Sequence, residues 1–255
     1  MITASEITAS MLAMENEAQR QVLLRFFKTG YGEYGYGDQF LGIKVPQTRA
    51  VVKGARLQVS LDEIDKLIGS KWHEVRLCGF LLLVEEMLVA LPKRHRNTAE
   101  AALRRAEVAD FYIAHSRQAN NWDLVDLSCP KILGKYLLAP LPDGSLPSRS
   151  VLYELADSTN LWQQRIAVVS TIELIRAGQF ADTLSLVARL MHHRHELMHK
   201  AMGWMLREIG KKDMTVLDSF LDEHYASMPR TMLRYAIEKK DAAQRQFWLD
   251  RKPRL

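Results

Sequence analysis

The segment NNWDLVD carries an aromatic ring and a carboxylate at a spacing that suits chemistry. Trp122 and Asp126 are four residues apart, so on a helix they lie on one face, one turn apart. Asp123 and Asn121 then point elsewhere. A ring face attracts positive charge and stacks on a base, and a carboxylate stabilises positive charge opposite it. The pair predicts a site for a flat, cationic ligand, and the alternative is a buried tryptophan beside a locally paired aspartate.

Two later segments contain further candidate site residues. LWQQRIA contains Arg165, and KAMGWMLREIGKKD contains Trp204 and Arg207, which are three residues apart. If the helices that carry them line one surface with Trp122, two tryptophans, a carboxylate and two arginines converge there. Arginine binds phosphate through forked hydrogen bonds, and tryptophan contacts sugar or base. For each arginine alone, the alternative is a surface side chain that keeps its charge in water.

The elements that must position these residues are helices. Apolar residues recur at helical spacing almost throughout the chain, and no segment alternates as a strand does. The pattern predicts a first helix from about Ser5 to Phe27, followed by the glycine-rich turn TGYGEYGYGDQFLGIKVP. So many glycines end a helix and let the backbone approach a neighbour closely. Pro46 suits the first turn of the next helix.

Weakly similar segments recur along the rest of the chain. They place Arg76, Arg165, Lys200 and Arg234 at equivalent positions, with steps of 89, 35 and 34 residues. The longest step divides near Asn121 into 45 and 44 residues, where another helix begins. Such steps are typical of helix-pair repeats of the HEAT and armadillo types, which stack into a curved solenoid. The sequence predicts an all-α, HEAT-like α-solenoid with a concave binding face; an irregular helical domain is the alternative.

The predicted domain organisation is a single helical domain over residues 1–245 and a basic C-terminal tail over residues 246–255. The longest non-periodic segment is LLAPLPDGSLPS, at residues 137–148. It is a candidate loop between two halves, but its length alone does not establish a domain boundary.

Composition and motifs narrow the class of protein. The formal net charge of +5 favours a polyanionic partner. Cys78 and Cys129 lie in apolar runs, without the spacing of a disulfide framework or a zinc site. HELMH, from His195 to His199, matches the zinc-protease pattern but lacks an evident third ligand, so we predict no metal. No signal peptide or membrane span is evident, and we expect a cytoplasmic protein, at the nucleoid when bound to DNA.

Four segments together resemble a known family. FFKTGYGEYGYGDQFLGIKVPQTR, NNWDLVD, LWQQRIA and KAMGWMLREIGKKD resemble, in order and spacing, the AlkD-like branch of the DNA alkylation repair family. These are bacterial HEAT-repeat DNA glycosylases that excise alkylated purines. The resemblance extends from about Phe26 to Asp213 and implies the same fold and a DNA substrate.

The resemblance also implies roles for individual residues. Trp122 and Asp126 match the pocket pair, Arg165 matches the catalytic arginine and Trp204 matches the second pocket tryptophan. These four are the predicted catalytic residues. An aromatic residue before FLGI belongs to the same surface. The predicted DNA-binding residues are Arg207, Lys44, Arg49, Tyr34, Tyr36 and Lys200.

The chain departs from the family pattern at two places. The loop before FLGI is longer and richer in glycine, which leaves the aromatic match open between Tyr34 and Tyr36. Glu196 and Leu197 stand where the family carries aromatic residues. These departures bear on substrate preference and on how the duplex is held.

The function implied is hydrolysis of the N-glycosidic bond of cationic alkylated purines, such as N3-methyladenine and N7-methylguanine, in base excision repair. No lysine stands out as a Schiff-base nucleophile, so the expected enzyme is monofunctional, needs no cofactor and acts as a monomer on double-stranded DNA. The alternatives are a non-catalytic HEAT-repeat protein that binds distorted or branched DNA, and a protein–protein scaffold. A scaffold would explain the repeats but not the basic charge or the Trp–Asp pair.

Overall fold

The described chain is helical throughout. The structure is a computed structural model that describes residues 1–92 and 97–251. In these two ranges the regular elements are helices, and the one β-type pairing is an isolated parallel bridge between Gln39 and Trp72. This confirms the all-α class, whereas the solenoid and its concave face stay predictions.

Two compact units make up the chain. The first is Met1–Pro147 and the second is Ser148–Leu255. The division falls at the end of LLAPLPDGSLPS, between Pro147 and Ser148, in the segment that the sequence marks as a candidate loop between halves. The extent of the functional domain stays a prediction.

The first unit is built around a long buried helix. Its α-helices are α1 (Ala4–Leu12), α2 (Glu17–Phe26), α3 (Val45–Ala55), α4 (Leu61–Ile68), α5 (His73–Ala90), α6 (Ala99–Ala114) and α7 (Trp122–Ser128). A 3-10 turn (Ser116–Gln118) precedes α7, and a π-helical turn (Pro130–Gly134) follows it. Helix α5 packs against α3, α4, α6 and α7. It is apolar on nearly every side, as expected of a helix surrounded by others.

The prediction of one helix from Ser5 to Phe27 is wrong, because α1 and α2 are separate. The chain leaves the helix after Leu12, and Asn16 starts the next one. The Asn16 side chain accepts a hydrogen bond from the Gln19 amide at 2.9 Å. Its own amide donates to the Leu41 carbonyl at 2.9 Å. The apolar periodicity continues through this segment, but the Asn16 side-chain cap and the hydrogen bond to Leu41 divide it into two helices.

The second unit is built around α12. Its α-helices are α8 (Ser150–Ala156), α9 (Leu161–Ser170), α10 (Ile172–Arg176), α11 (Ala181–Leu190), α12 (Glu196–Lys212), α13 (Met214–His224), α14 (Arg230–Ala236) and α15 (Ala242–Asp250). Helix α12 packs against α9, α10, α11, α13 and α14. Arg165, Lys200 and Arg234 are each the fifth residue of their helix, whereas Arg76 is the fourth residue of α5 and Asn121 is the N-cap of α7. The repeat stays a prediction.

The end of the chain is partly helical. Helix α15 runs through residues 246–250 of the predicted tail, and its Trp248 is only 5% exposed. The Arg251 guanidinium lies 4.2 Å from the ring centre of Tyr225. Residues 252–255, the remainder of the predicted tail, lie outside the described residues.

None of the described helices is long and apolar enough to cross a bilayer.

Candidate functional site

A cavity of about 460 Å³ opens in the first unit, where α3, α5 and α7 begin. Trp122 and Asp126 both line it, as their spacing on α7 requires. Lys44, at the start of α3, lines the same cavity and is exposed. The other walls are almost entirely apolar, from Phe26, Phe40, Ile43, Leu77 and Leu127. The Asp126 carboxylate and the Trp122 indole ring thus line one apolar cavity, and its volume is in the range of ordinary ligand pockets.

The Trp122 ring is supported by phenylalanines from the end of α2. It stacks on Phe27 with ring centres 5.4 Å apart and an angle of 21° between the planes. Phe26 meets it edge-on at 5.8 Å. Trp122 itself is half-buried, so part of its surface stays available to a ligand. Such ring contacts restrict the indole to one orientation.

A buried imidazole lies behind these rings. His73, the first residue of α5, stacks on Phe40 with ring centres 4.4 Å apart and lies 4.9 Å from Phe27. Its Nδ1 is 2.8 Å from Asp38 and its Nε2 is 2.9 Å from Asp123. Burial lowers the pKa of His73, but Asp123 and Asp38 outweigh it and raise that pKa to about 9.

Arg76 completes this network of charges. Its Nη2 donates to Asp38 at 2.5 Å, and its Nη1 donates to the carbonyls of Ser70 and Lys71. Burial acts to raise the pKa of Asp38, but His73 and Arg76 hold it below its ordinary value. The carboxylates of Asp38 and Asp123 therefore balance the cations of His73 and Arg76, as buried charges require. Of these four residues, His73 and Asp123 line the cavity.

The turn that leads into Lys44 is held by a buried carboxylate. Glu74, 2% exposed, accepts hydrogen bonds from the amides of Leu41, Gly42 and Ile43 at 2.9–3.0 Å. Gly42 has φ of +85°, and a Cβ there would lie 2.0 Å from the Asn16 carbonyl oxygen. The glycine-rich turn therefore makes its predicted close approach at Gly42, where it packs against the start of α2.

The predicted aromatic positions differ in exposure. Tyr36 is 63% exposed and Tyr34 is half-buried. Tyr31, which the sequence analysis did not select, is 92% exposed and packs edge-on against Tyr36, with ring centres 5.4 Å apart. The structure therefore offers Tyr31 and Tyr36 as the outward rings of the loop.

A basic groove, defined by Arg49, Lys53 and Lys131, follows the cavity along the same elements. Arg49 and Lys53 lie further along α3, and Lys131 lies just after α7. Their groove has a volume of about 300 Å³. Within the described residues these three side chains form no ion pair, whereas the neighbouring Arg56 pairs with Glu85 at 2.5 Å. Arg49 thus has the exposure and charge that its predicted DNA contact needs.

The predicted catalytic residues of the second unit lie in different environments. Arg165 is only 5% exposed and donates from Nη1 to the Leu197 carbonyl at 2.6 Å. It therefore ties α9 to the first turn of α12. Trp204, on α12, is half-buried. Both residues belong to the second unit, whereas the cavity belongs to the first.

Two predicted DNA-binding cations of the second unit are ion-paired. Arg207 pairs with Glu238 and also contacts Glu208 at 3.4 Å. Lys200 lies 3.3 Å from Glu196, one turn earlier on α12. Such surface pairs are weak, so phosphate can compete for either cation.

The HELMH match does not form a histidine pair on one helix. His195 is the N-cap of α12, and its Nδ1 accepts from the Leu197 amide at 3.1 Å. His199 donates from Nε2 to the His193 carbonyl at 2.5 Å. In the ranges that the structure describes, no group of three or more His, Cys, Asp or Glu side chains is placed to hold a metal.

Three ionisable residues at the start of α5, at or next to the cavity, are not among the residues that the sequence predicts for the site. His73, Glu74 and Arg76 stand together in KWHEVRL, a segment read only as a repeat. A signal was present, since three ionisable residues at the start of an otherwise apolar helix must find partners when buried. Their partner Asp38 lies in the glycine-rich turn, 35 residues before His73, and no local pattern reveals that contact.

Fold and site define a class of protein: an all-helical chain with an apolar, carboxylate-bearing pocket beside a basic surface groove. Residues 7–239 match the family described as "DNA alkylation repair enzyme". The chain belongs to this family. Membership supports the assignment of the protein as an enzyme of DNA alkylation repair and implies a DNA substrate.

A solved structure has the same fold. The chain is similar to one titled "Predicted DNA alkylation repair enzyme from Enterococcus faecalis", with a TM-score of 0.61 and 16% identity. The match covers 89% of this chain and 97% of that one. At this identity the likeness shows the fold alone. No curated protein matches the sequence.

Proposed function

We propose that the protein is a monofunctional DNA glycosylase that hydrolyses the N-glycosidic bond of cationic alkylated purines, with N3-methyladenine and N7-methylguanine as test substrates. The observation that carries the proposal is that Trp122 and Asp126 line one apolar cavity in a chain of this family. A neutral base gains little from such a site. A base made cationic by alkylation gains attraction from the ring face and from the carboxylate.

The chemistry follows from the charge of the lesion. As the bond between the deoxyribose C1′ and the purine N9 breaks, its electron pair moves to the base and neutralises it. The base therefore leaves without a general acid, and positive charge develops on the sugar. Asp126 stabilises that charge and orients a water. The water oxygen bonds to C1′ and releases a proton, which leaves an abasic site and a free base.

Lys44 requires a separate argument, because its amine belongs to a residue that lines the same cavity as Asp126. A lysine becomes a nucleophile when an apolar environment or a neighbouring cation activates it. Lys44 is exposed, and its ammonium is better placed to meet a phosphate. We therefore retain the monofunctional assignment.

The basic groove gives the DNA backbone a path from the cavity. Lys44 borders the cavity, and Arg49, Lys53 and Lys131 follow it. Phosphate contacts fix register without reading sequence, which suits an enzyme that must find rare lesions anywhere. Arg165, Trp204, Arg207 and Lys200 are proposed site residues on the resemblance alone.

The test is release of free base from duplex DNA that carries N7-methylguanine or N3-methyladenine. We expect Asp126→Asn to lower the single-turnover rate by about 100-fold or more, because it removes the charge opposite the sugar. Asp110→Asn is the matched control, since Asp110 is an exposed aspartate on α6. Borohydride should trap no covalent complex with the wild type.

Two results would contradict the proposal. Full activity of Asp126→Asn would remove the carboxylate from the chemistry. No base release by the wild type, together with tight and salt-sensitive DNA binding, would instead indicate a non-catalytic protein that binds distorted DNA.

A further inference from the structure

We propose that His73 is a positioning residue, whose contacts with Asp38 and Asp123 hold the start of α7 and thereby set Trp122 and Asp126 for the reaction. This inference rests on the proposed function for its catalytic part. Its structural part concerns the orientation of Trp122 and can be tested alone.

The geometry requires both ring nitrogens of His73 to donate. Nδ1 and Nε2 face carboxylate oxygens at 2.8 and 2.9 Å, and an ionised carboxylate only accepts. A neutral imidazole carries one N–H and would present a lone pair to one of the two carboxylates. The doubly protonated ring satisfies both contacts and joins the glycine-rich turn, through Asp38, to α7, through Asp123.

The first turn of α7 depends on contacts from outside the helix. The helical backbone continues from α7 through Cys129 into the π-helical turn, so the start of α7 is the end of this segment where backbone amides lack partners within the helix. Trp122 and Asp123 are its first two residues, so the His73 contact acts on the turn that carries the indole. Asp126 lies one turn beyond Trp122 on the same helix.

A second connection runs through the rings. His73 lies against Phe27, and Phe27 stacks on Trp122. His73 therefore supports Trp122 and Asp126 in two ways. It forms an ion pair with the Asp123 side chain on α7, and it packs against Phe27, which stacks on Trp122. All of these groups are buried or half-buried and closely packed. A substitution at His73 must therefore shift the side chains that it contacts.

The experiment compares His73→Gln and the milder Asp123→Asn with the wild type. Asp123→Asn keeps the size of the side chain and removes its charge. The matched control is His115→Gln, because His115 also contacts a carboxylate, Asp65, at 2.7 Å but does not line the cavity. Far-UV circular dichroism checks that each variant is folded.

The first readout is the fluorescence of Trp122. The chain has five tryptophans, so each variant is also made in a Trp122→Phe background and the spectra are subtracted. We expect the Trp122 emission to shift in His73→Gln and Asp123→Asn and to stay unchanged in His115→Gln. An unchanged Trp122 emission in both folded variants overturns the positioning role, whatever happens to base release.

The second readout separates catalysis from binding. We expect the single-turnover rate of base release to fall by about 10- to 100-fold, as for a catalytic group displaced by about 1 Å. The dissociation constant for undamaged duplex should stay within about twofold, since His73 is buried and meets no phosphate. A full rate alongside a shifted emission also overturns the inference. No base release by the wild type overturns the proposed function, and the emission of Trp122 then decides the positioning role alone.

Discussion

Two aspartates three residues apart on α7 have different tasks because their surroundings differ. Both aspartates line the cavity, but Asp123 is buried and pairs with His73, whereas Asp126 is half-buried. The Asp123 carboxylate is directed to His73, and the greater exposure of Asp126 lets a substrate reach its carboxylate. We therefore assign the proposed chemistry to Asp126.

The charge on His73 leads to a prediction about pH. A pKa raised from about 6.5 to about 9 means that the folded protein holds this proton more tightly than the unfolded chain does. The stabilisation is complete below about pH 6.5 and is lost as pH rises through about 9. We expect the free energy of unfolding to fall by up to about 3 kcal/mol across this window.

Urea unfolding at several pH values between 6.5 and 9 measures this effect. His73→Gln should remove most of the slope, and His115→Gln should retain it. A wild-type unfolding free energy that stays flat over this window would show that His73 is not held as an imidazolium.

At the scale of elements, glycine decides how closely two helices of the second unit approach. Gly203, which precedes Trp204, lies on α12 where α14 crosses. A Cβ at this position would lie 2.5 Å from the Met232 carbonyl oxygen and 2.5 Å from the Tyr235 Cβ. Gly203 therefore has a packing role, separate from any role of Trp204.

Gly203→Ala should consequently destabilise the protein. The added methyl must push α12 and α14 apart, and such overpacking costs about 1–3 kcal/mol. Gly54→Ala is the matched control, because Gly54 lies in the last turn of α3 and a Cβ there meets nothing within 4 Å. We expect that control to be neutral or to gain up to about 0.5 kcal/mol, since helix propensity counts for less in a last turn than in a helix interior. Chemical denaturation of both variants gives the comparison, and equal stability of the two would refute the packing role.

At the scale of the whole molecule, a net charge of +5 favours DNA but does not say where it binds. Many cations are already paired with neighbouring acids, including Lys66 with Glu63 and Lys211 with Glu208. Among residues 1–92 and 97–251, by contrast, the three cations that define the basic groove have no acidic partner. Unpaired charge is what phosphate can neutralise at least cost.

The salt dependence of DNA binding tests the basic groove. We expect Lys53→Gln with Lys131→Gln to weaken binding and to reduce the slope of log K against log salt by about 2, because about one counterion is released for each phosphate contact. The matched control replaces Lys66 and Lys211 with glutamine, which removes the same formal charge. A control slope that falls as much as the groove variant would mean that net charge alone determines binding.

The sequence by itself determined the helical class, the family and the face shared by Trp122 and Asp126. Helical periodicity and a spacing of four residues are local properties, and local geometry converts them directly into structure. The sequence also predicted that Pro46 lies in the first turn of a helix and that another helix begins near Asn121, and these are α3 and α7.

Tertiary structure decided what lies between distant segments. The break between α1 and α2 at Asn16 depends on a hydrogen bond to Leu41. The contacts that orient the start of α7 depend on Asp38 and His73, which are distant from α7 in the sequence. The burial of Arg165 against Leu197 likewise depends on two helices meeting. Burial and pairing of charges arise only when separate helices pack together, so no pattern within one segment could have specified them.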